Sequence, residues 1–310
     1  MESLSFTLRP IPPFRLDLTS WALRRRAHNQ VDRWDGATWR RVLVIGDEAM
    51  EAAVNQSGTA EHPRLQVVLS GPRVPPHAKT IAAERLRRIL GLRVDLSSFY
   101  RLAAQDKQLA PLATRFRGLK PPRFPAVFEG LVNAIACQQL SLTVGIWVLN
   151  RLAEQAGPAV RFEDVTQHAF PGPADVTRLD DDVLRSMGFS YGKARYVIAA
   201  SKVAADGQLH AEQLERLDDS AVLEQLLRLR GVGRWTAEYV LLRGLGRINI
   251  FPGDDVGARN RLARWLGRDR AMDYQDVQRA VGRWQPYSGL VYFHLLLDGL
   301  VQSGAISESR

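Results

Sequence analysis

The 310-residue chain is expected to have an α+β fold, in which a small mixed α/β domain on an antiparallel sheet precedes an all-α region. Two patterns predict it. Up to about residue 90, apolar and polar residues alternate in short segments interrupted by Pro and Gly, as in half-buried strands. Beyond that, apolar residues recur every three to four positions almost to the end, as in amphipathic helices. We therefore place the domains at residues 1–90 and 91–310.

The first domain is expected to contain several strands and one helix. A helical apolar pattern covers residues 14–25, and a Pro-rich loop at residues 71–76 ends the alternating pattern. Together these segments predict a small domain around an antiparallel sheet. The predicted strands span residues 4–8, 30–34, 38–45 and 65–69.

The second region begins with a series of predicted helices. The fourth of them stops at a short polar turn that contains Gln139 and Leu140. Ser141 is a suitable N-cap for the fifth helix, because its hydroxyl can accept a free backbone N–H. The predicted helices span residues 81–90, 99–104, 109–116, 127–135 and 142–154.

Residues 226–255 contain two helices joined by a glycine hairpin. Glycine at both ends, Gly231 and Gly233, allows backbone angles that a side chain forbids, and Val232 between them can plug the junction. The free N–H groups that open the second helix form a ready anion site, which a nucleic-acid phosphate would fit. A dinucleotide-binding loop is disfavoured, because it needs a preceding strand and a third glycine where Thr236 stands. An ordinary glycine-capped turn remains open.

Two adjacent carboxylates, Asp254 and Asp255, follow a turn and precede a basic helix predicted at residues 256–265. One of them is readily explained as the N-cap of that helix. The second carboxylate is surplus to the cap and is therefore a candidate functional group.

Charge and composition indicate the kind of partner. The chain has 42 Lys and Arg against 33 Asp and Glu, which leaves a net charge of +9. This balance favours a polyanionic partner and salt-sensitive binding. The basic residues are nearly all Arg, whose planar fork suits phosphate groups.

Composition also excludes several classes of protein. The one cysteine, Cys137, excludes an internal disulfide and a four-cysteine iron–sulfur cluster. The scattered histidines lack paired ligand spacing, so we expect no catalytic metal. No apolar run approaches membrane-spanning length and the start of the chain is not secretory, so we expect a cytoplasmic protein.

Residues 229–237 and 251–255 resemble the helix-hairpin-helix DNA glycosylases, and specifically the DNA-3-methyladenine glycosylase II family. The resemblance implies that Asp255 is the catalytic carboxylate, which leaves Asp254 as the helix cap. It implies that the first domain is similar to half of a TATA-binding fold. It also implies two helical subdomains with the active-site cleft between them.

The resemblance further implies a base pocket and a DNA-binding surface. Trp235 and Tyr239 lie four residues apart on one helix face. The aromatic residue implied to line the pocket just after a proline corresponds to Tyr287. The side chain that fills the gap left by an extruded base is Gln139 by strict alignment, with Leu140 as the alternative. A monovalent cation can sit on the hairpin carbonyls near Gly231 and Gly233. The implied DNA-binding residues are Gly231, Val232, Gly233, Arg234, Thr236, Gln139 and Leu140. In the basic helix after Asp255, Arg261 is a further candidate for a contact with the DNA backbone or for pairing with the two carboxylates.

The implied function is that of a monofunctional glycosylase that flips alkylated purines out of double-stranded DNA and excises them. Trp235 stands where strand-cleaving relatives carry a lysine, so no lyase activity is expected. One alternative is a glycosylase for deaminated purines such as hypoxanthine. Another is a non-catalytic DNA-binding module, which leaves Asp255 and the aromatic residues unexplained. We expect a monomer without cofactor or membrane partner, acting at the nucleoid of a bacterial cytoplasm.

Overall fold

The computed structural model describes residues 1–162 and 165–306. The first part of the chain forms a five-stranded antiparallel sheet in the order β1-β5-β4-β3-β2. Its strands are β1 Glu2–Leu8, β2 Arg33–Trp34, β3 Thr38–Ile45, β4 Glu48–Ser57 and β5 Arg64–Gly71. Helix α1, Leu16–Arg24, follows β1, and helix α2, Ala78–Ile89, follows the sheet.

The sheet is held by a row of apolar side chains that crosses four strands. Phe6 pairs with Val67, Val67 with Val54, and Val54 with Trp39. All four are buried in a core that α2 and several residues of the helical region complete. Because side chains alternate between the two faces of a strand, this register commits one face of each strand to the core.

The helical region contains thirteen helices, counted in the part of the chain that the structure describes. A π-helical turn, Leu241–Leu245, extends α12, and a 3-10 turn, Gly282–Trp284, precedes α15. The helices are α3 Ser97–Gln105, α4 Leu109–Arg115, α5 Val127–Cys137, α6 Leu142–Ala156, α7 Pro173–Val176, α8 Asp181–Ser186, α9 Tyr191–Ala205, α10 Ala211–Leu214, α11 Asp219–Leu227, α12 Arg234–Val240, α13 Val256–Trp265, α14 Tyr274–Val281 and α15 Ser288–Gln302.

The helices are organised around two apolar cores. One core includes side chains of α3, α4, α13, α14 and α15, and the other includes side chains of α5, α6, α9, α11 and α12. Helix α5 is buried along almost its whole length; most of its residues are apolar, and its polar side chains Glu129 and Asn133 accept from Arg41 and Arg25. Because α5 lies in the interior, the turn that follows it is held against the core that contains α5, α6, α9, α11 and α12.

The predicted α+β class is confirmed, but three strands, β4 and two that lie within the helical region, were not predicted from the sequence. Strand β4 is rich in Ala and Glu, which have weak strand preference, and pairing with β3 and β5 on both sides overrides that preference. The region predicted to be all-helical also contains a two-stranded antiparallel sheet of β6, Ala159–Phe162, and β7, Val165–His168. Strands of four residues are too short to give a periodic signal.

None of the helices in the described ranges is both long and apolar enough to cross a membrane.

Candidate active site

The glycine hairpin lies between α11 and α12, and its two glycines play different parts. Gly231 has φ of +83°, and a Cβ there would lie 2.2 Å from the ring of Tyr196 on α9. Gly233 has φ of −98°, and a Cβ there would meet nothing within 4 Å. The expectation that both positions need glycine-only angles is therefore wrong for Gly233. It holds at Gly231, where backbone angle and close packing both exclude a side chain.

The hairpin is tied to the turn that follows α5. The side-chain amide of Gln138 donates to the carbonyl of Gly231 at 2.9 Å and to Oγ1 of Thr236 at 3.0 Å. Val232 and Thr236 are buried. The side chains of Val232 and Thr236 are therefore not available to a ligand outside the protein.

The turn between α5 and α6 presents two side chains to solvent. Gln139 is exposed in the left-handed region with φ of +53°, and Leu140 is 41% exposed, so Leu140 is not a core residue. Lys193 Nζ donates to the carbonyls of Ala136 and Gln138 and holds the turn from behind. The predicted capping of α6 is confirmed, because the side chain of Ser141 accepts from the backbone N–H of Val144.

A cavity of about 580 Å³ opens beside this turn. It lies within the range of small-ligand sites, which is roughly 300–1,000 Å³. One wall comes from α12, where the Trp235 and Tyr239 rings lie 5.7 Å apart and 40° from parallel. Other lining residues predicted from the sequence are Gln139, Leu140, Asp254, Asp255 and Arg261.

The helix cap is the other of the two adjacent carboxylates from the one predicted. Asp255 is the N-cap of α13, since its Oδ1 accepts from the backbone N–H of Ala258 at 2.8 Å. The prediction that Asp254 is the cap is wrong: its Oδ2 accepts from Arg234 Nε at 2.7 Å, close to the hairpin. Capping occupies only one oxygen of Asp255. The other, Oδ2, accepts from the hydroxyl of Tyr292 at 3.1 Å, so the carboxylate is held in one orientation at the cavity.

The aromatic residue on α15 that lines the cavity is Tyr292, and the prediction of Tyr287 is wrong. Tyr287 precedes the helix, and its ring packs edge-on against Phe99 at 5.8 Å in the interior. Tyr292 lies more than one turn further along and contacts Asp255. Sequence spacing cannot place the start of a helix closely enough to decide between the two positions.

Two arginines from the first domain complete the cavity, and sequence analysis did not find them. Arg25, at the end of α1, is 4% exposed; its Nη1 donates to the Tyr239 hydroxyl at 2.7 Å and its Nη2 to Asn133 Oδ1 at 2.6 Å. Burial raises the pKa of Tyr239, although Arg25 opposes this, so the phenol stays protonated. Burial, with Arg261 and Arg25 nearby, lowers the pKa of Arg26. Arg24, Arg25 and Arg26 form a run at the end of a predicted helix, and the sequence pattern there did not indicate a functional site.

Within the described residues, no group of three or more His, Cys, Asp or Glu side chains is arranged to hold a metal ion. The prediction that the protein needs no cofactor stays a prediction, as does the monovalent cation near Gly231 and Gly233.

Comparison with known proteins adds family evidence to this geometry. Residues 132–286 match the model of the HhH-GPD superfamily base excision DNA repair proteins, and residues 5–126 match that of the AlkA N-terminal domain. The chain is 24% identical over 291 residues to "DNA-3-methyladenine glycosylase 2" of Escherichia coli, covering 94% of this chain and 96% of that protein. It is 27% identical over 201 residues to "DNA-3-methyladenine glycosylase" of Bacillus subtilis, covering 65% of this chain and 66% of that protein.

A solved structure shares the whole architecture. The "3-methyladenine dna-glycosylase from Archaeoglobus fulgidus" superposes with a TM-score of 0.80 at 24% identity, covering 94% of this chain and 97% of that one. The likeness extends over both the sheet domain and the helical region. The match of residues 132–286 to the family model shows that the chain belongs to the HhH-GPD superfamily of base excision DNA repair proteins.

Proposed function

We propose that this chain is a monofunctional DNA glycosylase that extrudes alkylated purines of the 3-methyladenine type from double-stranded DNA and hydrolyses their N-glycosidic bonds. The observation that carries the proposal is the oriented carboxylate of Asp255 in a cavity with an aromatic wall. Relatives named as 3-methyladenine glycosylases support the substrate class. We further propose that the protein acts as a monomer in the bacterial cytoplasm, at the nucleoid.

The chemistry needs one anionic group near the sugar. When the bond from C1′ to the base breaks, its electron pair leaves with the base and the sugar becomes oxocarbenium-like. An N-alkylated purine is already cationic, so it departs as a neutral base without a strong general acid. Asp255 stabilises the cationic sugar, and a water molecule then adds its oxygen to C1′ and gives up a proton.

The same arrangement offers a route for the DNA. A duplex that presents a base to the cavity also meets the exposed Gln139 and Leu140, and either side chain can fill the space that the base leaves. The hairpin N–H groups and Arg234 lie beside the cavity mouth and suit a phosphate of the same strand. Because Arg234 already pairs with Asp254, a phosphate must compete with that carboxylate.

The proposal excludes a strand-cleaving mechanism, because that mechanism needs an amine nucleophile at the cavity. Trp235 occupies the position where such a lysine is expected, and no lysine is among the described residues that line the cavity. Lys193, which lies behind the turn, donates its ammonium group to two backbone carbonyls. We expect base release without strand scission, and covalent trapping of protein on DNA by borohydride would overturn this expectation.

Asp255→Asn tests the catalytic role with little disturbance of the fold. Asn caps a helix about as well as Asp, so the N–H of Ala258 keeps its partner. The loss of charge is expected to slow single-turnover excision of an alkylated purine on the order of 10²-fold. DNA affinity is expected to survive or rise, because a negative charge near the backbone is removed.

Asp254→Asn is the matched control, since it removes the neighbouring charge and loosens only an exposed ion pair with Arg234. Its excision rate is expected to fall much less than that of Asp255→Asn. Full activity in Asp255→Asn, or a larger loss in Asp254→Asn, would contradict the assignment of Asp255 as the catalytic carboxylate.

A further inference from the structure

A groove of about 420 Å³ lies between the sheet domain and helix α6, and no step of the proposed excision uses it. Residues 25–28 form a rim that separates the groove from the cavity. Arg25 and Arg26 line the cavity, whereas Ala27 and His28 line the groove. The groove and the cavity are therefore immediate neighbours.

The rim is fixed to α6 by hydrogen bonds. Arg26 Nε donates to Oγ1 of Thr143 at 3.2 Å, and His28 Nε2 donates to the carbonyl of Thr143, also at 3.2 Å. The buried side chain of Asn150 donates to the carbonyl of His28 at 2.7 Å and accepts from the backbone N–H of Gln30 at 3.1 Å. The groove is therefore preformed, and a ligand that enters it does not have to order its wall.

An exposed apolar surface leads from the cavity mouth to the groove. Leu140, Val144 and Trp147 are 41%, 45% and 47% exposed. Val144 and Trp147 share one side of α6, and at the helical rise Trp147 lies only about 10 Å beyond Leu140. In the groove, the Trp147 ring stacks on His28 at 4.7 Å and 15° from parallel. A continuous exposed apolar surface of this kind marks an interaction site.

The groove is basic as well as aromatic. Arg33 and Arg40 line it, and Asp35 is the one acidic side chain among its described lining residues. Arg33 is held by Glu51 at 2.7 Å. Arg40 pairs with Asp35 at 3.3 Å, and the two side chains are 36% and 50% exposed. An ion pair so exposed contributes little, so a phosphate can replace the carboxylate on Arg40 at low cost.

The turn between α5 and α6 separates the groove from the glycine hairpin. The hairpin is bonded to Gln138, directly after α5, whereas the rim is bonded to Thr143, at the start of α6. Gln139 and Leu140 lie between these two attachments. When either side chain enters the duplex, the strand on the hairpin side carries the extruded base, and the strand on the groove side is the undamaged one.

We infer that the groove binds the undamaged strand, with the base opposite the lesion stacked on Trp147 and a phosphate of that strand on Arg40. This inference rests on the proposed function, because it assumes that DNA lies across the cavity with Gln139 or Leu140 inserted. Extrusion of the damaged base leaves the opposite base unpaired, which lowers the cost of moving that base out of the stack. Stacking on an aromatic ring accepts any base, so the groove stabilises the opened duplex without restricting its sequence.

A thermodynamic cycle between Trp147 and the opposite base tests the stacking. The probe is a short duplex with a tetrahydrofuran abasic analogue in one strand and, opposite it, either thymine or a second abasic analogue. Trp147→Ala is expected to weaken binding to the thymine duplex by about 10-fold, and binding to the duplex without the opposite base by less than about 3-fold. Trp147→Phe keeps an aromatic face and is expected to lose less than about 3-fold on the thymine duplex.

Ile11→Ala is the matched control for the loss of exposed apolar surface. Ile11 belongs to the sheet domain, is 38% exposed and lines neither the cavity nor the groove. Its replacement is expected to leave the affinity for both duplexes unchanged.

The salt dependence of binding tests the phosphate contact separately. Loss of one phosphate contact in Arg40→Gln is expected to reduce the slope of log affinity against log salt concentration by about 0.9 on the thymine duplex. The slope for the single strand that carries the abasic analogue is expected to stay the same. Arg64→Gln removes an equal charge from an exposed position on β5 outside both sites, and is expected to leave both slopes unchanged.

The outcomes separate this inference from the proposed function. Equal weakening of the two duplexes by Trp147→Ala overturns the inference, and so does an unchanged slope in Arg40→Gln. Arg40→Gln carries the test alone if circular dichroism shows Trp147→Ala to be unfolded. Both binding tests use abasic probes and are independent of base release, whereas failure of the unmutated protein to release any alkylated purine overturns the proposed function.

Discussion

The two walls of the cavity differ in the sequence separation of the residues that form them. Trp235, Tyr239 and Asp255 come from one short stretch around the hairpin, and helical spacing alone places the first two on one face. Arg25 and Tyr292 come from near opposite ends of the chain and both line the cavity. Arg25 is bonded there to Tyr239, and Tyr292 to Asp255. The first wall is therefore a local motif, whereas the second depends on tertiary packing.

The largest expected effect on stability comes from removing the buried ion pair that joins the sheet domain to the helical region. Arg41 of β3 is buried and donates to both carboxylate oxygens of Glu129 on α5, at 2.5 and 2.6 Å, and to Asp32. Burial raises the pKa of Glu129, although Arg41 opposes this. Glu129→Ala is expected to lower the free energy of unfolding by roughly 3–5 kcal/mol, because a buried cation loses one of its two carboxylates.

Urea unfolding of purified protein measures this loss. Glu84→Ala is the matched control, since that carboxylate is 53% exposed and pairs with Arg87 and Arg93 on the surface of the same domain. Its effect is expected to stay below about 1 kcal/mol. Equal losses in the two variants would show that the buried pair does not hold the second wall in place.

The contrast between the walls also explains what could be predicted from the sequence. Helix α13 begins and ends where apolar spacing and the preceding turn place it, and the Trp235–Tyr239 wall follows from the same kind of local information. Tyr292 and Arg25 could not be found, because their roles depend on partners that are remote in sequence. The choice between Asp254 and Asp255 as cap depended on backbone angles at one turn, which residue type does not determine.

The helix that supplies Tyr292 contains a buried histidine that makes the second wall sensitive to acid. His294 is fully buried, its Nδ1–H donates to the carbonyl of Leu290 at 2.7 Å, and burial lowers its pKa from 6.5 to about 4. The unfolded chain therefore takes up this proton at a higher pH than the folded protein does. The resulting stability is fully present above pH 6.5 and is lost as pH falls through 4.

The expected loss from this one group is about 3 kcal/mol, since each unit of pKa difference corresponds to about 1.4 kcal/mol. His294→Phe removes the titration and suits a site beside the rings of Phe99 and Phe116. Urea unfolding between pH 7 and 4 is expected to show a smaller decline for the variant than for the unmutated protein. Parallel declines would show that His294 does not resist protonation.

The smallest expected effects separate two roles within the first wall. Gly231→Ala places a Cβ against the ring of Tyr196 at a positive φ, and is expected to lower the free energy of unfolding by about 1–3 kcal/mol. Gly233→Ala places its Cβ in open space at an ordinary φ, so stability is expected to change by less than about 0.5 kcal/mol. If a phosphate approaches the hairpin there, Gly233→Ala weakens binding to duplex DNA although the fold is intact. Binding unchanged by Gly233→Ala would place the phosphate elsewhere, and equal stability losses in the two variants would contradict the distinct roles of the two glycines.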